Sequence, residues 1–314
     1  GSRLPVDGAF GIGELVHEVV AGLAGQLDAA LLGFGLGVEQ HALAALWGGS
    51  FLLMRIVVPV LGPIPTAFGR VALGAAGLAL LIAVLRGTHA FKGRFMATLV
   101  LGIINSGVPF LMFAFAAQVL PAGYSAILNA TTPLMGVLLG ALLFREQTSV
   151  ARIAGVCIGL IGVGVLMQAG PVPPDAAVWW GVAACLVATA CYGVAGFLTR
   201  RWISERSGLD SKLVALGSQV GAALVLLPFM AWHVAGMPPS TQAVHAQVWL
   251  ALMALGLLCT ALGYVLYFRL IADVGPLKAL SVTFLIPLFG VLWGWCFLDE
   301  PVSLAHLAGG GLIA

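Results

Sequence analysis

The chain has 314 residues, 61% of them hydrophobic and 8% charged, with 14 Lys and Arg against 12 Asp and Glu. Soluble domains carry about 25% charged residues, so this composition excludes a water-soluble globular domain and makes the lipid bilayer the first partner of the chain. The net charge of +2 says nothing by itself, but the placement of the charges does.

In chain order, Gly1 and Ser2 read as a cloning scar. Residues 3–38 hold apolar residues interrupted too often, by Asp7, Glu14, Glu18 and Asp28, to cross a membrane. An amphipathic surface helix, a disordered tail and appended sequence are all compatible with them. Charged and turn-forming clusters then cut the remainder into ten apolar stretches, near 40–60, 64–85, 95–117, 124–144, 150–170, 178–198, 212–232, 247–269, 277–298 and 302 to the end. Most approach the roughly 20 residues that a membrane-spanning helix needs. They lack the period-two alternation of β-barrel strands. The fold expected is therefore an all-α polytopic membrane protein of ten transmembrane helices. Only about a dozen residues follow Pro301, which at 1.5 Å each fall short of a bilayer core about 30 Å thick. The end of the tenth span is thus expected beyond residue 314.

The basic residues mark alternate loops. Arg86, Lys92 and Arg94 follow the second span, Arg145 and Arg152 the fourth, Arg200, Arg201, Arg206 and Lys212 the sixth, and Arg269 and Lys278 flank the loop after the eighth. The intervening loops carry neither Lys nor Arg. By the positive-inside rule, the even-numbered loops and both ends are cytoplasmic, the membrane being the inner (plasma) membrane. This distribution gives no nucleic-acid surface.

A repeat divides the spans. Pro133, Gly136, Gly140 and Glu146 recur as Pro287, Gly290, Gly294 and Glu300, each 154 residues on, and Gly102, Phe110 and Phe113 recur at the same offset as Gly256, Tyr264 and Tyr267. Trp47, Gly48 and Arg55 recur 145 residues on as Tyr192, Gly193 and Arg200. The expected domains are a five-helix repeat over 39–170 and a second over 178–314, with 1–38 outside both. With five spans each, the two are inverted, an arrangement that places transporter sites at the repeat interface.

Pro133 and Pro287 fall near the centres of the fourth and ninth spans, where a proline frees the carbonyl four residues earlier, here Asn129 and Thr283. Both positions are expected to face the interior and act as hinges. Gly136xxxGly140 and Gly290xxxGly294 allow close backbone approach, most simply of the fourth span on the ninth. The glycines of the fifth and tenth spans offer a further seam, either within one molecule or between two, so monomer and homodimer both remain open.

The unit Leu46-Trp47-Gly48-Gly49-Ser50-Phe51, Pro65 with Arg70, Pro121-Ala122-Gly123-Tyr124 leading into Pro133, Glu146, and the second copy from Tyr192 to Glu300 resemble EamA-type proteins of the drug/metabolite transporter superfamily, over residues 40–314. Within that superfamily the chain is most similar to aromatic-amino-acid exporters of the YddG type. The resemblance implies an exporter or facilitator of small metabolites, commonly amino acids, with a cavity between the repeats.

The mid-membrane residues expected to contact substrate are Trp47, Ser50, Arg70, Asn105, Ser106, Asn129 and Thr132 in the first half, and Tyr192, Tyr264, Tyr267, Thr283 and Trp293 in the second. Mostly apolar walls with a few fixed polar groups suit a neutral or zwitterionic small molecule. Arg70 can attract a substrate carboxylate or bond backbone carbonyls. No Asp or Glu lies at the centre of a span, so facilitated diffusion is expected over proton coupling, with Glu39 and His41 kept as coupling candidates. A nucleotide-sugar transporter would need more cavity cations than Arg70. The sequence holds no HExxH, GxSxG or Walker pattern and no CxxC, so no catalytic residue, metal site or cofactor is expected. A non-transporting membrane scaffold or enzyme is the reading from another class.

Overall fold

The computed structural model describes residues 37–85, 90–170, 172–173, 175–206, 209–236, 244–274 and 282–313, and every regular element in them is a helix. Residues 3–36, Arg86 and Lys278 lie outside the described residues. Eight helices are long and apolar enough to cross a membrane. They are α1 (Val38–Leu61), α2 (Pro63–Val84), α3 (Phe95–Ala116), α4 (Ala122–Phe144), α5 (Val150–Ala169), α6 (Ala176–Ser204), α7 (Ser211–Gly236) and α8, which starts at Ala246 and whose last stretch is Gly263–Val274. Two shorter apolar helices follow, α9 (Val282–Leu298) and α10 (Leu304–Ile313). Lipid offers no hydrogen-bond partners, so long apolar runs close their backbone bonds within the segment as helices.

The helix ends are specified locally. Pro63 opens α2 after Gly62, whose φ of 85° is open only to a residue without a Cβ. Ser149 Oγ accepts from Arg152 N–H at 3.3 Å to cap α5, and Asp175 Oδ1 accepts from Val178 N–H at 2.8 Å to cap α6. Arg145 (φ 54°) and Asp299 (φ 53°) take the left-handed conformation after α4 and α9. The next residue then donates back in each case, Glu146 N–H to Gly140 O at 3.0 Å and Glu300 N–H to Gly294 O at 3.1 Å, which satisfies a terminal carbonyl.

The fourth span differs from its expected form. The helix breaks into Ala122–Asn129 and Thr132–Phe144, and Pro133 sits in the first turn of the second piece, where its missing N–H costs little. The Asn129 carbonyl is not left open, because the Thr132 hydroxyl donates to it at 2.7 Å. Thr131 Oγ1 likewise donates to Leu128 O at 2.8 Å. Pro287 does lie inside its helix.

The packing comes in matched sets. Helix α1 lies on α9 as α6 lies on the second piece of α4; α2 packs on α8 as α7 packs on α3; α3 meets α6 as α8 meets α1; and α2 also touches α7, α4 touches α9 and α5 touches α10. The α4–α9 contact is not glycine on glycine. Gly290 faces Ala126 in the first piece of α4, whereas a Cβ on Gly193 of α6 would come within 3.0 Å of Gly136 N, and one on Gly140 within 2.7 Å of the Phe197 ring. The glycine face of α4 thus serves α6. Gly294 packs beside the Glu300 carboxylate. Gly162 and Gly309 form the α5–α10 seam within the molecule.

The side chains are sorted as lipid requires. Leu142, Ile161, Leu227, Leu250 and Phe284 point outward, while Ser50, Arg70, Ser106, Asn129, Gln219 and Thr260 are buried. Exposed Trp180, Trp232 and Trp249 sit at the start of α6, the end of α7 and the start of α8, as ring anchors at a membrane–water boundary do.

Gly102 tests this packing. Its missing Cβ would strike the Ser218 carbonyl of α7, whereas nothing lies within 4 Å of a Cβ at Gly155. Gly102→Ala is expected to lower stability by about 1–3 kcal/mol, read as a fall in thermal midpoint of purified protein. Gly155→Ala should leave the midpoint unchanged or raised.

Candidate substrate cavity

Helices α1 to α4 and α6 to α9 enclose a cavity of about 510 Å3, within the range of roughly 300–1,000 Å3 usual for small-molecule sites. Of the residues expected from sequence, the structure brings Trp47, Ser50, Arg70, Asn105 and Asn129 to its wall, and Thr132, Tyr192, Tyr264, Tyr267 and Thr283 with them. Two lie elsewhere. Ser106 is fully buried behind the wall, and Trp293 packs beside Phe289 with its Nε1–H donating to Ala45 O at 3.1 Å, because α9 turns that face toward α1.

Helix geometry explains how polar groups reach the cavity. Three stretches adopt wide π-helical turns: Ile103–Gly107 in α3, Arg200–Ser204 in α6 and Ala254–Leu262 in α8. Each contributes to the cavity wall, through Asn105, through Arg200 and Ser204, and through Cys259 and Thr260. A π-turn inserts an extra residue and rotates the following side chains, which is why such turns recur at functional sites. Thr260 Oγ1–H donates to Leu255 O at 3.0 Å, five residues back.

One wall is a connected polar cluster. Gln219 Nε2–H donates to Ser106 Oγ at 2.9 Å, Ser106 Oγ lies 3.4 Å from the Tyr264 hydroxyl, and Asn105 Nδ2–H donates to that hydroxyl at 3.1 Å. Beside it, Arg70 Nε–H donates to Thr260 Oγ1 at 3.1 Å, and the guanidinium carbon lies 3.6 Å from the Phe110 ring centroid. The other walls are aromatic: Trp47 and Tyr267 rings lie 5.3 Å apart, Phe51 meets Phe113 edge-on at 5.2 Å, and Phe113 stacks near Tyr192 at 6.3 Å. Sequence reasoning missed Thr260 and Gln219. The repeat offset held a signal for Thr260, which stands 154 residues after Ser106; nothing in the sequence marked Gln219.

The two ends of the cavity differ. Toward the basic loops its wall includes Thr199, Arg200 and Ser204, and Arg200 forms a solvent-exposed ion pair with Glu146. The opposite end is filled by buried Met54, Val57, Val58, Ala117 and Leu120. There Glu300 accepts from Ala122 N–H at 2.9 Å at the start of α4, and Arg55 Nε lies 3.6 Å from the same carboxylate while its Nη1–H donates to Ala117 O at 2.8 Å.

Comparison with known proteins settles the family. The model of the EamA-like transporter family matches residues 41–168 and 179–314. The chain belongs to the EamA-like transporter family. It is 25% identical to a probable terminal-alkyne amino-acid exporter of Streptantibioticus cattleyicolor, over 85% of this chain and 86% of that relative. It is 28% identical to Protein PecM of Dickeya dadantii, over 84% of each, and 24% identical to an uncharacterized transporter of Archaeoglobus fulgidus, over 85% of this chain and 91% of that one. A solved crystal structure shares the fold with a TM-score of 0.60 at 21% identity, covering 88% of this chain and 92% of that one. The protein is thus a polytopic membrane protein of a transporter family.

In this EamA-like protein the two end pairs differ in burial, with the Glu300 side chain 12% exposed and that of Glu146 43% exposed. Glu300→Ala removes an α4 cap and the acid beside Arg55, and should lower stability by about 1.5–3 kcal/mol, the usual worth of a hydrogen bond to a charged group. Glu146→Ala, whose pair is screened by solvent, should leave the thermal midpoint nearly unchanged. Equal losses in the two variants would contradict the greater structural weight given to the better-buried Glu300 pair.

Proposed function

We propose that the protein is an alternating-access exporter of small neutral or zwitterionic metabolites, amino acids among them, working by facilitated diffusion from the inner membrane. The observation that carries this reading is a central cavity reached from the basic end and plugged at the other. The named activity of the Streptantibioticus relative adds amino acids as the first substrates to try.

In this reading the cavity lies between inverted repeats of five spans each, which makes ten transmembrane helices in all, with residues 39–170 and 178–314 as the two halves and both ends cytoplasmic. Matching features at the repeat offsets support it: the left-handed residues Arg145 and Asp299, the donated bonds of Glu146 and Glu300, and the tight glycine contacts of Gly48 on α9 and Gly193 on α4. The Arg–Glu pairs also match, Arg55 with Glu300 at the sealed end and Arg200 with Glu146 at the open end. Exchange between the two faces then consists of closing one pair's end while the other opens, with α4 bending at its break before Pro133 and α9 at Pro287. Among the described residues no Asp or Glu lines the cavity, and a proton-driven cycle needs such a relay. The ten expected residues on the cavity wall are the proposed substrate contacts. Ser106 acts from behind Tyr264.

The test is counterflow of labelled L-phenylalanine and other amino acids into proteoliposomes made from the purified protein alone. Saturable uptake without an imposed pH gradient is expected. Asn129→Leu, in the cavity, should lower kcat/KM by about tenfold, the equivalent of one lost polar contact of roughly 1.4 kcal/mol, while lipid-facing Leu142→Ala should match the parent protein. Uptake that depends on a proton gradient would overturn facilitated diffusion, and inert liposomes across a wide metabolite panel would overturn transport.

A further inference from the structure

We infer that the cavity recognises its substrate through a carboxylate held by Arg70 and does not require an amino group, which widens the zwitterions proposed above to monocarboxylate anions with an apolar or aromatic tail, amino acids being one case. This rests on the transport reading above for its biological meaning, but the binding chemistry stands on the site itself.

Arg70 is 6% exposed, in the middle of the bundle. A guanidinium has five N–H donors; here one meets Thr260 Oγ1, and Nη1 has only the Met54 sulfur at 3.9 Å. Its positive charge rests on the face of Phe110, a cation–π contact that offsets part of the burial. No carboxylate pairs with it among the described residues. A buried cation at membrane depth ordinarily has an acid or a run of carbonyls beside it, because an uncompensated charge there is costly. The missing anion is supplied by the ligand: a carboxylate accepts two N–H bonds from one guanidinium in a planar fork, and the cavity lies on the open side of this one.

The mirrored position in the second half, 145 residues on, is Ala215, which also lines the cavity. Among the described residues Arg70 is therefore the one cation in the cavity's interior, and it fixes one orientation of the ligand. Arg200 at the mouth is taken up by Glu146. For an ammonium group, by contrast, the cavity offers ring faces such as Trp47 and Tyr267 and neutral oxygens such as those of Asn129 and Ser50, but no acid among the described residues. Ion pairing thus contributes to the carboxylate end of an amino acid and not to its amino end. Deaminated and N-acylated acids with the same tail satisfy the same contacts.

The experiment uses isothermal titration of the purified full chain in detergent with 3-phenylpropanoate, which is phenylalanine without its amino group, and with 2-phenylethylamine, which is phenylalanine without its carboxylate. The carboxylate is expected to bind at least about tenfold more tightly than the amine, a difference of roughly 1.4 kcal/mol. Arg70→Gln should abolish that preference. Arg70→Lys, which keeps the charge and loses the fork, should retain part of it. A circular dichroism spectrum and monodisperse elution identical to the parent protein qualify each variant as folded, and the parent protein's own acid-over-amine ratio is decisive where a variant fails that check. Equal or tighter binding of the amine, an unchanged preference in folded Arg70→Gln, or no binding of either probe would overturn the inference. Binding of the acid without any counterflow would leave the carboxylate anchor standing and sink the transport reading instead.

Discussion

The fold depends on one constraint: at membrane depth no water is available to a polar group, so each must find a partner in the protein or face a wet cavity. The Thr131 and Thr132 hydroxyls close the carbonyls exposed where α4 breaks, and Thr260 does the same inside the wide turns of α8. Where the constraint is met by a cavity instead, polar residues collect along its wall: Asn105, Tyr264 and Arg70 on one side, with Ser106 and Gln219 bracing them from behind. The same logic explains why exposed surface is apolar and interior surface is mixed, the reverse of a soluble domain.

In the proposed transport reading, a cavity that is open at one end and plugged at the other is a single state of the cycle. Its asymmetry sits on two chemically similar clasps that differ in burial, and the buried one also caps the start of α4. In that reading the coupling of a clasp to a helix terminus is physically useful, because withdrawal of the carboxylate would uncap the helix as the end opens. The break before Pro133 and the proline within α9 place compliant points beside the cavity on the two helices that touch each other and the clasp.

Much of this was legible in the sequence. Apolar run lengths located the helices, with ends displaced by up to about six residues where α6 runs on to Ser204, and fixed offsets tied Glu146 to Glu300 and Arg55 to Arg200. Ten of the twelve residues chosen as mid-membrane polar or aromatic groups reach the cavity wall. What stayed hidden is rotational. Sequence periodicity assumes a regular helix of 3.6 residues per turn, and π-helical turns break that phase. Ser106 and Thr260 both lie inside such stretches, and Ser106 turns behind the wall; Trp293, read as a cavity residue, lies in a regular helix whose face is taken by α1. Gly136 and Gly140 were legible as a close-contact face, but not which helix would use it, since small residues fix distance and not partner.

The central claim is one compartment reached in turn from two faces, and the most direct measurement is side-specific labelling of Asn129→Cys in a background lacking Cys157, Cys185, Cys191, Cys259 and Cys296. In sealed vesicles of known orientation, an impermeant maleimide applied to either face should label the new thiol, and exhaustive labelling from one face should abolish labelling from the other. Labelling from a single face under every substrate condition would identify a static pocket and contradict the account.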